Sequence, residues 1–102
     1  MEIKMVKEIK LNKIQIKSIK ESISHLNADD TLPIFSFDEG NGIVEFKDIN
    51  RFVNFIDTII DLYEGMVYNL EWKITPERQK QVNKHKKIIY HLQSINSKAL
   101  ES

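Results

Sequence analysis

Residues 63–76 read Tyr63-Glu64-Gly65-Met66-Val67-Tyr68-Asn69-Leu70-Glu71-Trp72-Lys73-Ile74-Thr75-Pro76, and they fit two periods at once. Met66, Tyr68, Leu70, Trp72 and Ile74 alternate with Val67, Asn69, Glu71 and Lys73, the period of a strand built from strand-favouring residues. Tyr63, Val67, Leu70 and Ile74 also continue a helical stripe from upstream, provided Gly65 is tolerated inside a helix at a cost of ~1 kcal/mol. Gly65 otherwise stands where a residue just past a helix end adopts left-handed backbone. The alternation is the favoured reading, so a strand is expected over 66–74. With it the order is β-α-β-β-α-β-α, a ferredoxin-like plait with one C-terminal helix added. If 66–74 is helical, the order becomes β-α-β-β-α-α, a small sheet under a long helical hairpin. Both are α+β, with a small antiparallel sheet and three helices.

Upstream of this stretch, Ile49, Phe52, Val53, Ile56, Ile59, Ile60 and Tyr63 form the most apolar helical stripe in the chain, with Asp48 as a good N-cap. Asn50, Asn54, Asp57, Asp61 and Glu64 line the other side. Earlier still, Ile34–Phe37 and Ile43–Phe46 flank Asp38-Glu39-Gly40-Asn41-Gly42. An Asn-Gly pair between two β-rich runs predicts a hairpin, with both central residues of a type I′ turn at positive φ. Pro33 starts that element. Glu2 to Leu11 alternates Ile3, Met5, Ile9 and Leu11 and reads as a half-buried edge strand. Asn12 and Gln15 have the spacing of a capping box. The helix they open carries Ile16, Ile19, Ile23 and Leu26 on one side, Lys13, Lys17, Lys20 and Glu21 on the other, and ends near Asn27. Downstream, Thr75-Pro76-Glu77 is an N-cap, an N1 proline and a first-turn acid. The last helix should run from Pro76 to about Ser97, packing through Ile88, Ile89, Leu92 and Ile95.

At 102 residues the chain has the length of one domain, 1–102, and can bury roughly two-thirds of its unfolded surface without staples. It has no cysteine, which removes disulfide scaffolds, thiolate zinc sites and thiol nucleophiles and fits a reducing cytoplasm. No apolar run reaches a membrane span and no secretory signal is present, so neither a membrane partner nor export is expected. The usage of 16 Ile, 13 Lys and 8 Asn against 2 Arg points to A/T-rich codons and a low-GC bacterium or its bacteriophage. The formal net charge is zero, but residues 1–26 carry +3, 27–72 carry −8 and 73–98 carry +6. The simpler expectation is that the basic ends fold onto the acidic middle and neutralise it.

Candidate chemistry is sparse. The order of elements invites comparison with modules that read RNA by stacking bases on sheet aromatics. Here Ile43 holds the stacking position and Ile3–Leu11 supplies no second ring, so the sheet is not expected to be such a platform. Asp57, Asp61 and Glu64 lie a turn apart, as carboxylates on a polar helix face commonly do; His25, His85 and His91 have no ligand spacing; no metal and no cofactor are expected. There is no nucleophile elbow and little material for a small-molecule substrate pocket, so the protein is not expected to be an enzyme. Arg78, Lys80, Lys84, Lys87 and His91 make the last helix basic, and the last four share one face at spacings of 4, 3 and 4. They are the candidate contacts to a partner or to nucleic acid. Nine aromatics exceed the needs of one small core, so Phe55, Leu62 or Trp72, if exposed, would anchor another protein or a second copy as a homodimer. The expected function is therefore a cytoplasmic, non-catalytic protein-binding or regulatory module, of the kind carried by phages and mobile elements. A nucleic-acid-binding protein using the basic helix is the alternative.

Overall fold

The computed structural model describes residues 7–24 and 35–101. The elements run β1 (Lys7–Lys10), α1 (Lys13–Ser24), β2 (Phe35–Asp38), β3 (Ile43–Phe46), α2 (Ile49–Glu71) and α3 (Pro76–Glu101). The class is α+β and the order β-α-β-β-α-α. Residues 2–6 of the expected first strand, the expected helix end near Asn27, Pro33 and Ile34, and His25 lie outside the described residues.

The expected strand over 66–74 does not form; most of that stretch is the last part of a 23-residue α2, whose C-cap is Trp72. Tyr63 and Val67 are buried one turn apart, so the helical stripe outweighs the alternation. Gly65 is no terminator. It lies on the exposed side of the helix, and a Cβ built on it would meet nothing within 4 Å. Gly65→Ala should therefore raise stability by about 0.5–1 kcal/mol, by limiting the unfolded chain and restoring helix propensity. A melting temperature a few degrees higher in thermal unfolding would show this, and an unchanged or lower one would contradict it.

The three strands form one antiparallel sheet in the order β1-β3-β2, with Ile9 opposite Val44 and Val44 opposite Phe37. Phe35, Phe37, Val44, Phe46 and Ile9 share the face turned to the helices. The other face holds Glu8, Lys10, Ser36, Asp38, Ile43 and Glu45, with no aromatic ring. The hairpin has the expected strands but another turn. Four residues, 39–42, connect Asp38 to Ile43. Only Gly42 has positive φ, at 67°, so Asn41 is not in a type I′ conformation. Instead the Asp38 carboxylate accepts from the Asn41 amide at 3.2 Å and from Asn41 Nδ2 at 2.8 Å, a local side-chain turn.

Local capping signals are realised as written in the sequence. The Asn12 amide donates to Gln15 Oε1 at 3.0 Å, and the Gln15 amide to Asn12 Oδ1 at 2.8 Å. Asp48 accepts from the Asn50 and Arg51 amides, and Thr75 Oγ1 from the Arg78 amide at 3.1 Å. Of the stripe expected on α1, Ile19 is buried and Ile16 packs half-buried on the core, while Leu26 and the side chain of Ile23 lie outside what is described; polar residues share this side. Gln15, Ser18 and Ser22 are also buried, and Ser22 Oγ donates to the Ser18 carbonyl at 2.7 Å.

The core joins the sheet to the first half of α2 and the second half of α3, through Phe46, Phe52, Ile56, Leu92, Ile95 and Ala99. Between Tyr63 and Ile88, only Val67 and Val82 are buried. The molecule measures 59 × 24 × 22 Å. The 26 residues of α3 alone span about 39 Å. No helix among the described residues is long and apolar enough to cross a membrane.

Candidate binding surfaces

The far end of the α2–α3 hairpin is where apolar side chains meet water. The last turns of α2 have used their inward positions for Tyr63 and Val67, so the remaining large residues face out. Trp72 is 74% exposed and Tyr68 66%, the two lining one shallow pocket with Glu71; Leu62 and Met66 are exposed further back along α2 and Ile74 in the connection to α3. The turn is held from within, since Arg78 Nη1 donates to the Lys73 carbonyl at 3.1 Å and the Thr75 cap fixes the start of α3. Exposed aromatics on a braced turn form a surface with little entropy to lose on docking. Of the three apolar residues singled out from sequence, Leu62 and Trp72 are on the surface. Phe55 is half-buried against the core, its ring 5.6 Å from that of Phe35.

The basic face of α3 points elsewhere. Lys84, Lys87, Ile88 and His91 form one wall of a groove whose other wall is Ile14, Lys17, Ser18 and Glu21 of α1. Lys80, Lys84 and Lys87 make no ion pair among the described residues, and none joins α3 to Asp57, Asp61 or Glu64. The expected neutralisation of the acidic middle by this helix is therefore not made by direct pairs. What faces Asp57 is an amide: Asn96 Nδ2 donates to Asp57 Oδ1 at 2.8 Å and to the Val53 carbonyl at 3.4 Å. Lys20 pairs with Glu39 at 2.6 Å, on the surface. Arg78 is spent on the turn and takes no part in the stripe.

Two polar arrangements had no signal in the sequence, because their partners are far apart along the chain. Gln15 Nε2 donates to Ser94 Oγ at 2.9 Å, and Lys98 Nζ donates to Gln15 Oε1 at 3.0 Å and to the Lys10 carbonyl at 2.7 Å. This knot ties the β1–α1 corner to α3 and removes Lys98 from the free charge of the helix. The second is Tyr63, buried between the helices with its ring 5.4 Å from that of His85. Burial pushes its hydroxyl pKa up, a contact with Ser22 pulls it down and Glu21 adds to the rise. Asp38 is shifted the other way, its carboxylate held below its ordinary range by the Asn41 side chain and amide. Both shifts follow from structural contacts, one in the helical core and one in a turn. Among the described residues no three His, Asp or Glu side chains converge on a metal-sized site.

The chain matches no family model, no curated protein and no solved structure.

Proposed function

We propose that the protein is a non-catalytic binding module that docks on another protein through the free end of its α2–α3 hairpin. The exposure of Trp72 carries this reading: a tryptophan with three-quarters of its surface in water, lining one shallow pocket with the exposed Tyr68, is what a hot spot offers before its partner arrives. Nothing in the fold needs these side chains there, since the core closes without them. A chain without cysteine and with the codon usage of an A/T-rich genome fits a cytoplasmic accessory protein of a low-GC bacterium or of its phages.

Trp72 is the sole tryptophan, so its fluorescence reports the docking surface directly. A photoreactive phenylalanine at Tyr68 should cross-link in cells to one partner protein, or to a second copy, and one at Ser36 on the outer face of the sheet should not. With the partner identified, Trp72→Ala should weaken binding by roughly 30-fold or more, the ~2 kcal/mol of a hot spot, at unchanged melting temperature. Equal cross-linking from both positions, or a partner retained by Trp72→Ala, would overturn the proposal.

A further inference from the structure

The groove between α1 and α3 is a second surface, on elements other than the hairpin end. Its floor is apolar. Ile88 is buried at the bottom, and Ile14 of the opposite wall is 56% exposed although its neighbours Gln15 and Ser18 are buried. Its rim is cationic, with Lys84, Lys87 and His91 along α3 and Lys17 on α1 against the single acid Glu21. The space between the walls is about 160 Å³, near half the smallest volume of an ordinary small-molecule pocket at ~300 Å³. It is the size of a socket for one side chain.

We propose that this groove takes an acidic amphipathic peptide segment, one aliphatic side chain of which sits between Ile14 and Ile88 while flanking carboxylates reach Lys17, Lys84 and Lys87. Charge complementarity argues for this occupant, because the three lysines are unpaired among the described residues and a carboxylate on either side of the anchor would meet one. The apolar floor argues against a phosphate backbone, which would leave Ile14 and Ile88 unused. Single-stranded nucleic acid is held by stacking as well as by charge, and the groove offers only the His91 imidazole for that, with no Phe, Tyr or Trp in its lining. Duplex readout needs an element that protrudes into a groove of the nucleic acid, and this surface is concave. The protein's two arginines lie elsewhere, Arg51 in the first turn of α2 and Arg78 folded onto the hairpin turn.

The test is fluorescence anisotropy with the full chain and a labelled peptide of about fifteen residues, the length of a marginal helix, with leucines at helical spacing and glutamates between them. Binding in the micromolar range is expected at low ionic strength, weakening several-fold at physiological salt as the lysine–carboxylate attraction is screened. Lys84→Glu with Lys87→Glu should weaken it by tenfold or more. Ile14→Ser, which leaves every charge in place on an exposed position, should weaken it comparably. Trp72→Ala should leave it unchanged, so failure here and failure of the hairpin proposal are read separately. No binding, or equal binding of the same peptide with lysines for glutamates, would overturn the inference. So would binding of a labelled single-stranded RNA or random duplex that is lost in the double lysine variant but unaffected by Ile14→Ser, which would assign the stripe to phosphates.

Discussion

Replacing Phe52 by alanine is expected to lower stability by about 3–5 kcal/mol, the range for emptying a buried phenylalanine site. The size of the loss follows from where the ring sits. Phe52 is wholly buried in the first turn of α2, stacked on Phe46 at 4.6 Å between centroids with 6° between planes. It also meets Phe35 edge to face at 5.4 Å. One side chain therefore joins both strands of the hairpin to the longest apolar helix, and aromatic pairs add about 0.5–1.5 kcal/mol each beyond the area they bury. A domain of this size holds about 5–15 kcal/mol in total, so alanine removes roughly a fifth or more of it. Thermal unfolding should shift down by roughly 12–40 °C, at about 4–8 °C per kcal/mol. Urea unfolding should show a lower midpoint at similar slope if the variant still folds as one unit. Phe52→Leu keeps most of the volume and should cost about 1.5 kcal/mol or less. A loss below about 1 kcal/mol in the alanine variant would mean that the sheet is not seated on α2 through this ring.

Features closed within a few residues were legible in the sequence. The Asn12–Gln15 box, the Asp48 cap and the Thr75–Pro76 restart depend on side chains reaching backbone amides three positions away, and all three appear in the structure. The strands on either side of Asn41-Gly42 were legible for the same reason. The fate of 66–74 was not, because Leu70 and Ile74 satisfy both periods, and the choice rests on whether Val67 has a helix to bury against. That is a tertiary fact, supplied by α3. The same limit applies to the basic stripe. Its spacing placed Lys80, Lys84, Lys87 and His91 on one face, but nothing local could say that Lys84, Lys87 and His91 would turn to α1. The acidic middle looked like their natural partner, yet the neighbour of Asp57 is Asn96, a residue with no charge to signal the contact. For the apolar candidates, Leu62, Phe55 and Trp72 all lay outside the inward stripe, and only the position of β2 decided that Phe55 alone would be half-buried against a ring of the core.

Gly42→Ala is the second substitution expected to have a large effect, and its causes are separable. Gly42 has φ of 67°, in the left-handed region where a Cβ costs about 1–2 kcal/mol against the backbone. The same Cβ would lie 2.9 Å from the Leu11 carbonyl oxygen and 2.9 Å from Ile16 Cδ1. Ile16 can rotate away. The Leu11 carbonyl cannot, since the Leu11 amide donates to the Gly42 carbonyl at 2.7 Å and the two backbones are locked together where β1 leads into α1. Relieving the contact means lengthening that bond and loosening the hairpin from the capping box beside it. The combined cost is roughly 2–4 kcal/mol, among the larger single-residue effects. Gly42→Asn distinguishes the two causes, because asparagine tolerates left-handed backbone but still carries the Cβ. It should recover about 1 kcal/mol of the loss, leaving the part due to the Leu11 contact. Gly40→Ala is the control two residues away: its φ is not positive, its added Cβ would make an ordinary 3.6 Å contact with Asp38, and its effect should stay within about 0.5 kcal/mol. If Gly42→Asn were as stable as the parent, backbone conformation alone would explain the glycine, and the seam between Leu11 and the hairpin turn would be looser than the 2.7 Å bond implies.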